Sequence, residues 1–155
     1  MVYTSEGVEL ASSFREYAVT HPLPGRAELD PDEVIRTCFK VIAEVKARIK
    51  EPVTAMAVSS QGEAFTAVDS RGNTLCHAMV SSDSRSSELS VSWSNAFGLA
   101  DIYRITGHTP HPLFTLFKLL WIRDNQPEIW KQARYYLCFE DLLLYRRGID
   151  PRISW

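Results

Sequence analysis

The segment AMAVSSQGEAF (55–65), followed by HAMVSSDSR (77–85), decides the fold of this chain. Each segment begins with an apolar run of strand length and ends in small hydroxyl, amide and charged side chains. Open α/β sheets bind ligands beyond the carboxyl ends of their strands, where loops can carry polar groups without burying unpaired backbone. The pattern therefore predicts buried strands that deliver polar side chains, including Gln61 and Glu63, to a ligand site.

The chemistry of these polar clusters favours a polyhydroxylated ligand. Gln61, Glu63 and Asp83 together offer hydrogen-bond donors and acceptors within a short reach, which suits a sugar better than an apolar or purely anionic ligand. The alternative is a plain turn, opened by Ser59 and Ser60 and capped by Gln61. The second polar cluster favours the ligand site.

Length and composition exclude several classes of protein. The chain has 155 residues, of which 45% are hydrophobic and 23% charged, as in a single globular domain. Its net charge of -2, with both signs interspersed, leaves no basic face for nucleic acid or anionic lipid. No apolar run approaches the ~20 residues that cross a bilayer, and MVYTSEG (1–7) lacks the features of a signal peptide. These features predict a cytoplasmic protein without nucleic-acid or membrane partners.

Cysteine and histidine give no sign of a metal site. The chain has three widely spaced cysteines within apolar patterns, Cys38, Cys76 and Cys138. They are predicted to be buried thiols in a reducing compartment, not disulfide partners or zinc ligands. His108 and His111 lie in the loop TGHTPHP (106–112), whose neighbourhood supplies no further ligands. We therefore predict no metal ligand.

The first half of the chain is predicted to mix strands with one helix. Residues 7–19 alternate as a strand or hairpin, and Asp30 can cap a helix that has Pro31 at its first position. The apolar strand Val53–Val58 then precedes a hairpin whose turn is DSRGN (69–73).

The second half is predicted to be mainly helical. The helical patterns cover 81–98, 99–106, 115–125, a segment from Pro127, and 139–148, with the apolar run YYLC at 135–138. Gly98 is expected to end the first of these helices. No internal repeat or linker divides the chain, so it is predicted to be one domain over 1–155.

Four stretches, taken in order, resemble one family. They are PGRAELDPDEV (24–34), VTAMAVSSQ (53–61), FTAVDSRGNTLCHAMVSSDSR (65–85) and GHTPHPLFTLFKLLWIRDNQPEIW (107–130). They are similar to motifs of the amino-terminal domain of the FGGY carbohydrate kinases, which phosphorylate xylulose, gluconate, glycerol and related polyols with ATP. The resemblance implies an α/β fold of the ribonuclease-H-like (actin-like ATPase) class, truncated and with a helical second half.

The resemblance also assigns substrate-binding residues. The family's sugar-contacting segment falls on Gln61, Gly62 and Glu63, and the aspartate after the hairpin falls on Asp83. Arg85 matches the family's arginine, and it either pairs with Asp83 or faces solvent.

The chain follows neither the glycerol-kinase branch nor the xylulose branch of the family fully. The glycerol-kinase branch has a glutamate at the position of Glu63, whereas the xylulose branch has a histidine. The family's Trp-Asn is replaced by Ser81 and Ser82, so no individual sugar is assigned.

Other residues within the matching stretches are not expected to contact substrate. Lys118, Trp121 and Trp130 are predicted to be packing or surface groups.

The ends of the chain lead to further expectations. Nothing like the family's glycine-rich DxGTTS strand precedes Tyr3, and the carboxyl-terminal domain would follow YRRGIDPRISW (145–155). The resemblance therefore implies that ATP and Mg²⁺ bind only a full-length parent, that the catalytic residue lies in the missing domain, and that this chain alone is inactive. Without a central first strand, segments 7–19 and 53–59 would expose pairing groups, which predicts a homo-oligomer.

Two functional hypotheses remain open at this stage. The chain is either a piece of a sugar or polyol kinase that forms one wall of the sugar site, or a non-catalytic α/β binding or assembly module derived from that scaffold.

Overall fold

A four-stranded antiparallel sheet lies at the centre of the fold in the computed structural model, which describes residues 1–152. Its strands are β3 (Glu28–Leu29), β4 (Phe65–Val68), β5 (Ala78–Met79) and β6 (Tyr135–Cys138), in the spatial order β3-β5-β4-β6. A separate hairpin joins β1 (Val2–Tyr3) to β2 (Glu9–Ala11). Strand β4 has a partner on each side and all four of its residues are buried. The predicted hairpin through 69–73 is confirmed, and the apolar run at 135–138 forms β6.

Helix α1 (Pro31–Lys46) begins as its sequence predicts. The Asp30 carboxylate accepts hydrogen bonds from the N–H groups of Asp32 and Glu33, at 2.9 and 3.2 Å, and Pro31 needs no partner at the first helical position. Val34 and Ile35 on its inner face are buried against the sheet.

Five more helices complete the described chain. They are α2 (Ser87–Phe97), α3 (Leu99–Thr106), α4 (Thr115–Asn125), α5 (Pro127–Gln132) and α6 (Phe139–Tyr145). The mainly helical second half is therefore confirmed. Gly98 ends α2 with a φ of 106°, a conformation that glycine adopts without steric cost. None of the helices in the described part combines the length and apolarity needed to span a bilayer.

The core lies on both faces of the sheet because successive side chains of a strand point to opposite faces. On one face, Val68 packs with Ile35 of α1 and Leu142 of α6. On the other face, Phe65 packs with Met79 and with Ile122 of α4. Helix α4 therefore packs on β4 and β5, next to the turn before β4 and the loop after β5.

The predicted strand Val53–Val58 is wrong. Residues 52–61 form no strand within the described chain, and the side chains of Val53 and Met56 are 52% and 59% exposed. A strand needs a hydrogen-bonding partner, and the edges of β4 are already occupied by β5 and β6. Gln61 and Glu63 consequently precede β4 instead of following a buried strand.

Two other boundaries differ from the prediction. Within 7–19 only Glu9–Ala11 forms a strand, and Phe14 is 80% exposed. The helix predicted from 81 begins at Ser87, because the Asp83 carboxylate accepts a hydrogen bond from the N–H of Arg85 and favours a turn there. Of the carboxyl-terminal stretch 145–155, residues 153–155 lie outside the described part.

Candidate functional site

One face of α4 joins the two polar clusters that the sequence singles out. Thr115, Lys118 and Trp121 are spaced by three residues, so each of them is a neighbour of the next on the helix surface. Thr115 contacts Glu63, and Lys118 contacts both Glu63 and the end of β5. The guanidinium of Arg85 lies over the ring of Trp121. Helix α4 therefore holds the turn before β4 and the loop after β5 close to each other. We call the surface formed by this turn, this loop and α4 the wall.

Glu63 is held at the amino end of α4. Its Oε2 atom accepts hydrogen bonds from the N–H of Thr115 at 2.5 Å and from the Thr115 hydroxyl at 2.6 Å. A carboxylate is stabilised at this position by the unpaired N–H groups and by the dipole of the helix. Glu63 remains half-buried, and its Oε1 atom forms no hydrogen bond with residues 1–152. This second oxygen is free to accept a hydroxyl from a ligand.

Lys118 is a wholly buried lysine beneath this wall. Its Nζ atom donates to the carbonyl oxygen of Glu63 at 2.6 Å and to that of Met79 at 3.2 Å. Burial lowers the pKa of Lys118 below its usual 10.5, and the nearby carboxylates of Glu63 and Asp83 oppose that shift. The sequence predicted a packing or surface group, and the structure makes it the link between the two clusters.

Asp83 and Arg85 form a buried ion pair, as one of the two sequence alternatives predicts. Arg85 donates from Nε to Asp83 Oδ1 at 2.8 Å and from Nη2 to Asp83 Oδ2 at 2.6 Å. Arg85 also pairs with Glu28, and Asp83 Oδ2 accepts from the N–H of Ala27 at 2.8 Å. Burial alone would raise the pKa of Asp83, but the hydrogen bonds from Arg85 and Ala27 outweigh it and keep that pKa below 3.8.

The ion pair is buried beneath the surface of the wall. The side chains of Asp83 and Arg85 are only 1% and 6% exposed, and both oxygens of Asp83 are engaged. The geometry fixes the loop after β5 against β3 and α4. Direct contact between these two residues and a sugar stays a prediction.

The turn that carries Gln61 and Gly62 is exposed and is bonded to the end of β6 and the start of α6. The Cys138 thiol donates to the carbonyl oxygen of Gly62 at 3.1 Å, and the hydroxyl of Ser60 donates to the carboxylate of Glu140. These roles cannot be predicted from sequence patterns, because Cys138 and Glu140 lie about 80 residues further along the chain. Only the pairing of β4 with β6 brings them to the turn.

Cys138, Glu140 and Asp141 are the group nearest to a metal-ligand set in the described chain. One potential ligand atom from each lies within 4.8 Å of the others. Burial, with a smaller effect of the carboxylates of Glu140 and Asp141, raises the pKa of Cys138 to about 11, so the thiol is protonated at neutral pH. The thiol and Glu140 already bond to the 60–62 turn. We assign no metal to these residues.

The predicted site is an open wall and not one of the two cavities that the structure describes. One cavity, of about 640 Å³, lies between α1 and Arg146, and the other, of about 380 Å³, lies between α2 and α3. Neither is lined by Gln61, Glu63 or Asp83. An open wall of this kind suits a site that a second body closes.

Comparison with known proteins points to one family. The sequence profile of the FGGY family of carbohydrate kinases, N-terminal domain, matches residues 1–147. The chain is 27% identical over 150 residues to the probable L-xylulose kinase of Haemophilus influenzae, covering 93% of this chain and 30% of that protein. It is 30% identical over 129 residues to the glycerol kinase of Rhizorhabdus wittichii, covering 81% and 25% of the two chains.

Solved structures agree with the fold. The gluconate kinase of Lactobacillus acidophilus superposes with a TM-score of 0.86 at 24% identity, over 93% of this chain and 29% of that one. The glycerol kinase of Plasmodium falciparum with ADP superposes with a TM-score of 0.84 at 25% identity, over 92% and 30%. These neighbours confirm the predicted α/β, actin-like ATPase class. The chain spans about 30% of the length of the relatives it matches, and it belongs to the FGGY family of carbohydrate kinases, whose N-terminal domain it matches.

Proposed function

We propose that this chain forms one wall of the sugar or polyol site of an ATP-dependent carbohydrate kinase that acts on a substrate like xylulose, gluconate or glycerol. The observation that carries the proposal is the face of α4, which joins the Glu63 turn to the Asp83 loop through Thr115, Lys118 and Trp121. The family match supports it. The substrates named for the relatives supply the candidate class.

The accessible groups of the wall bind hydroxyls, and the buried groups hold them in place. The exposed amide of Gln61 donates and accepts, and Oε1 of Glu63 accepts from a sugar hydroxyl. Gly62 contributes its backbone at the exposed tip of the turn. Asp83 and Arg85 keep the loop after β5 in register with this turn. Such positioning lowers the entropic cost of bringing a hydroxyl to the phosphoryl group.

We infer that residues 1–152 do not hold ATP and Mg²⁺ by themselves. Phosphate binding calls for several backbone N–H groups in a glycine-rich loop, whereas each glycine of this chain stands alone in its turn. The carboxylates of Asp83 and Glu28 are already paired with Arg85. We propose that other parts of a full-length enzyme hold the nucleotide and the metal, and that this chain alone transfers no phosphoryl group.

Titration of the isotope-labelled chain with xylulose, gluconate and glycerol tests the proposed wall. We expect millimolar binding of at least one of them, seen as shifts of the backbone amide NMR signals of residues 61–64. Glu63→Gln should weaken that binding about tenfold, because it removes the charged acceptor. Glu51→Gln, at an exposed position outside the wall, should have no effect. Absence of shifts at 61–64 with all three ligands would reject the proposal.

The second candidate is a non-catalytic binding or assembly module built on the same scaffold. The exposed side chains of Phe14, Val53 and Met56 favour it, because apolar groups on unpaired extended segments invite association. A chain that associates through these segments and binds no sugar or polyol would fit this candidate and not the first.

A further inference from the structure

The larger cavity, between α1 and Arg146, concentrates positive charge and has no role in the proposed function. Its volume of about 640 Å³ is within the range of about 300–1,000 Å³ that is usual for small-molecule sites. Three cations, Arg36, Lys40 and Arg146, line it, and Asp32 is the one carboxylate among residues 1–152 that does so. The lining therefore has a net charge of about +2, although the whole chain has a net charge of -2.

The geometry of α1 places these charges side by side. Asp32, Arg36 and Lys40 follow one another at intervals of four residues, so the Cβ atoms of successive side chains are about 5–6 Å apart. Arg146 reaches the same place from the end of α6, because its Nη2 atom donates to Asp32 Oδ1 at 2.7 Å. The Thr74 hydroxyl donates to Asp32 Oδ2 at 2.6 Å. Both oxygens of this carboxylate are thus engaged away from Arg36 and Lys40.

Arg36 and Lys40 keep their donors free. Both side chains are exposed, and within residues 1–152 neither takes part in an ion pair or a side-chain hydrogen bond. Arg146 is held by its ion pair, and the guanidinium carbon of Arg147 lies 3.9 Å from the ring centroid of Phe39. The cavity therefore combines two positioned cations with two that can move to contact an anion.

One side of the cavity is apolar. Ile35, Phe39 and Ala43 also line it, spaced by four residues along α1, and Ile35 is only 5% exposed. An inorganic anion would leave this apolar surface in contact with water. A ligand with a carbon skeleton beside its anionic group would cover it and gain the free energy of apolar burial.

We propose that this cavity binds the phosphate group of a small organic phosphate monoester whose carbon skeleton covers the apolar side chains. At neutral pH a phosphate monoester carries a charge of about -1.5 to -2, which matches the net charge of the lining. The guanidinium groups of Arg36 and Arg146 present paired N–H donors to phosphate oxygens. Nucleic acid would require cations along a continuous face, whereas these cations lie around one cavity.

This site does not depend on the proposed sugar site. Helices α1 and α6 pack on the face of the sheet that carries Val68, and α4 packs on the other face against Phe65. None of the residues that line the cavity belongs to the wall.

The test uses phenyl phosphate as the probe, with inorganic phosphate and phenol as controls that lack the ring or the phosphate. Backbone amide NMR signals of the isotope-labelled chain are followed for all three. We expect phenyl phosphate to shift residues 35–43 and 146–147, with an affinity about tenfold higher than that of either control. Arg36→Gln should weaken this binding about tenfold, because it removes charged donors. Arg104→Gln, at an exposed position on α3 outside the cavity, should leave it unchanged.

The control probes and variants can each overturn the proposal. Inorganic phosphate that binds as tightly as phenyl phosphate would mean that the organic part of the ligand plays no role. Phenol that binds equally well would mean that the apolar side chains act without the cations. Absence of shifts with all three probes, or unchanged binding in Arg36→Gln, would also overturn the proposal. Arg36 is exposed, so its substitution leaves the fold intact, and Lys40→Gln must weaken phenyl phosphate binding as well.

Discussion

Residues 53–58 and 64–68 both carry an apolar sequence of strand type, yet only the second becomes a strand. In 64–68, Ala64, Phe65 and Val68 are at most 2% exposed, and β4 is paired on both sides. In 53–58, Val53 and Met56 are more than half exposed. The comparison teaches that an apolar pattern gives a segment the capacity to be a strand. A partner strand and a covering helix decide whether it becomes one.

The largest expected difference in stability is between a phenylalanine in a paired strand, Phe65, and one in an unpaired segment, Phe14. Phe65→Ala should lower the free energy of unfolding by about 3–5 kcal/mol, because it leaves a cavity between Met79 and Ile122. Phe14→Ala should change it by less than about 0.5 kcal/mol, because Phe14 is 80% exposed. Urea unfolding of both variants measures these values. Equal losses would mean that 12–19 is packed in solution.

An intermediate effect is expected where the well-packed region buries charge. Asp83→Asn should cost about 2–3 kcal/mol, because Arg85 and the N–H of Ala27 lose a charged acceptor. Asp124→Asn breaks an exposed ion pair with Arg123 and should have no measurable effect.

The same variant makes a prediction about acid. The pKa of Asp83 is lower in the folded chain than its ordinary 3.8. The folded state therefore binds fewer protons, and the stability from Asp83 is present above pH 3.8 and lost as the pH falls below it. Unfolding curves between pH 5 and 2 should show a smaller acid loss in Asp83→Asn than in the unaltered chain. An identical acid loss would show that Asp83 is not ion-paired in solution.

The smallest expected effect is weak association of the chain through the unpaired segment 53–58. We predict that the chain forms a concentration-dependent oligomer near 100 µM, on the order of the affinities of small transient interfaces. Met56→Lys should shift the equilibrium towards monomer, because a charged side chain blocks strand-to-strand pairing. Val91→Lys, at a similarly exposed position on α2, should not. Light scattering that gives a monomer at every concentration would contradict the prediction.

Much of the fold was readable because its signals are local. Asp30 and Pro31 start α1, Gly98 ends α2, and the turn at 69–73 joins two apolar runs, each within a few residues of chain. The strand predicted at 53–58 does not form, because the presence of a partner strand is not a local property of the sequence.

The candidate site was readable in part for the same reason. Gln61, Glu63 and Asp83 can be recognised in the sequence as polar residues beside apolar runs. Lys118 and Cys138 cannot be recognised in this way, because a lysine or cysteine within an apolar helix or strand usually has only a packing role. Their contacts with the Gln61–Glu63 turn span 55 and 76 residues of sequence.

The sequence by itself determined the family, the helices and the residue types that can bind a polyol, because caps, periodicity and motif spacing act over short distances along the chain. Only the tertiary structure decided that Asp83 and Arg85 are buried and that Lys118 connects the two clusters. Burial and charge pairing depend on which distant segments meet, and it is α4 packed on the sheet that makes them meet.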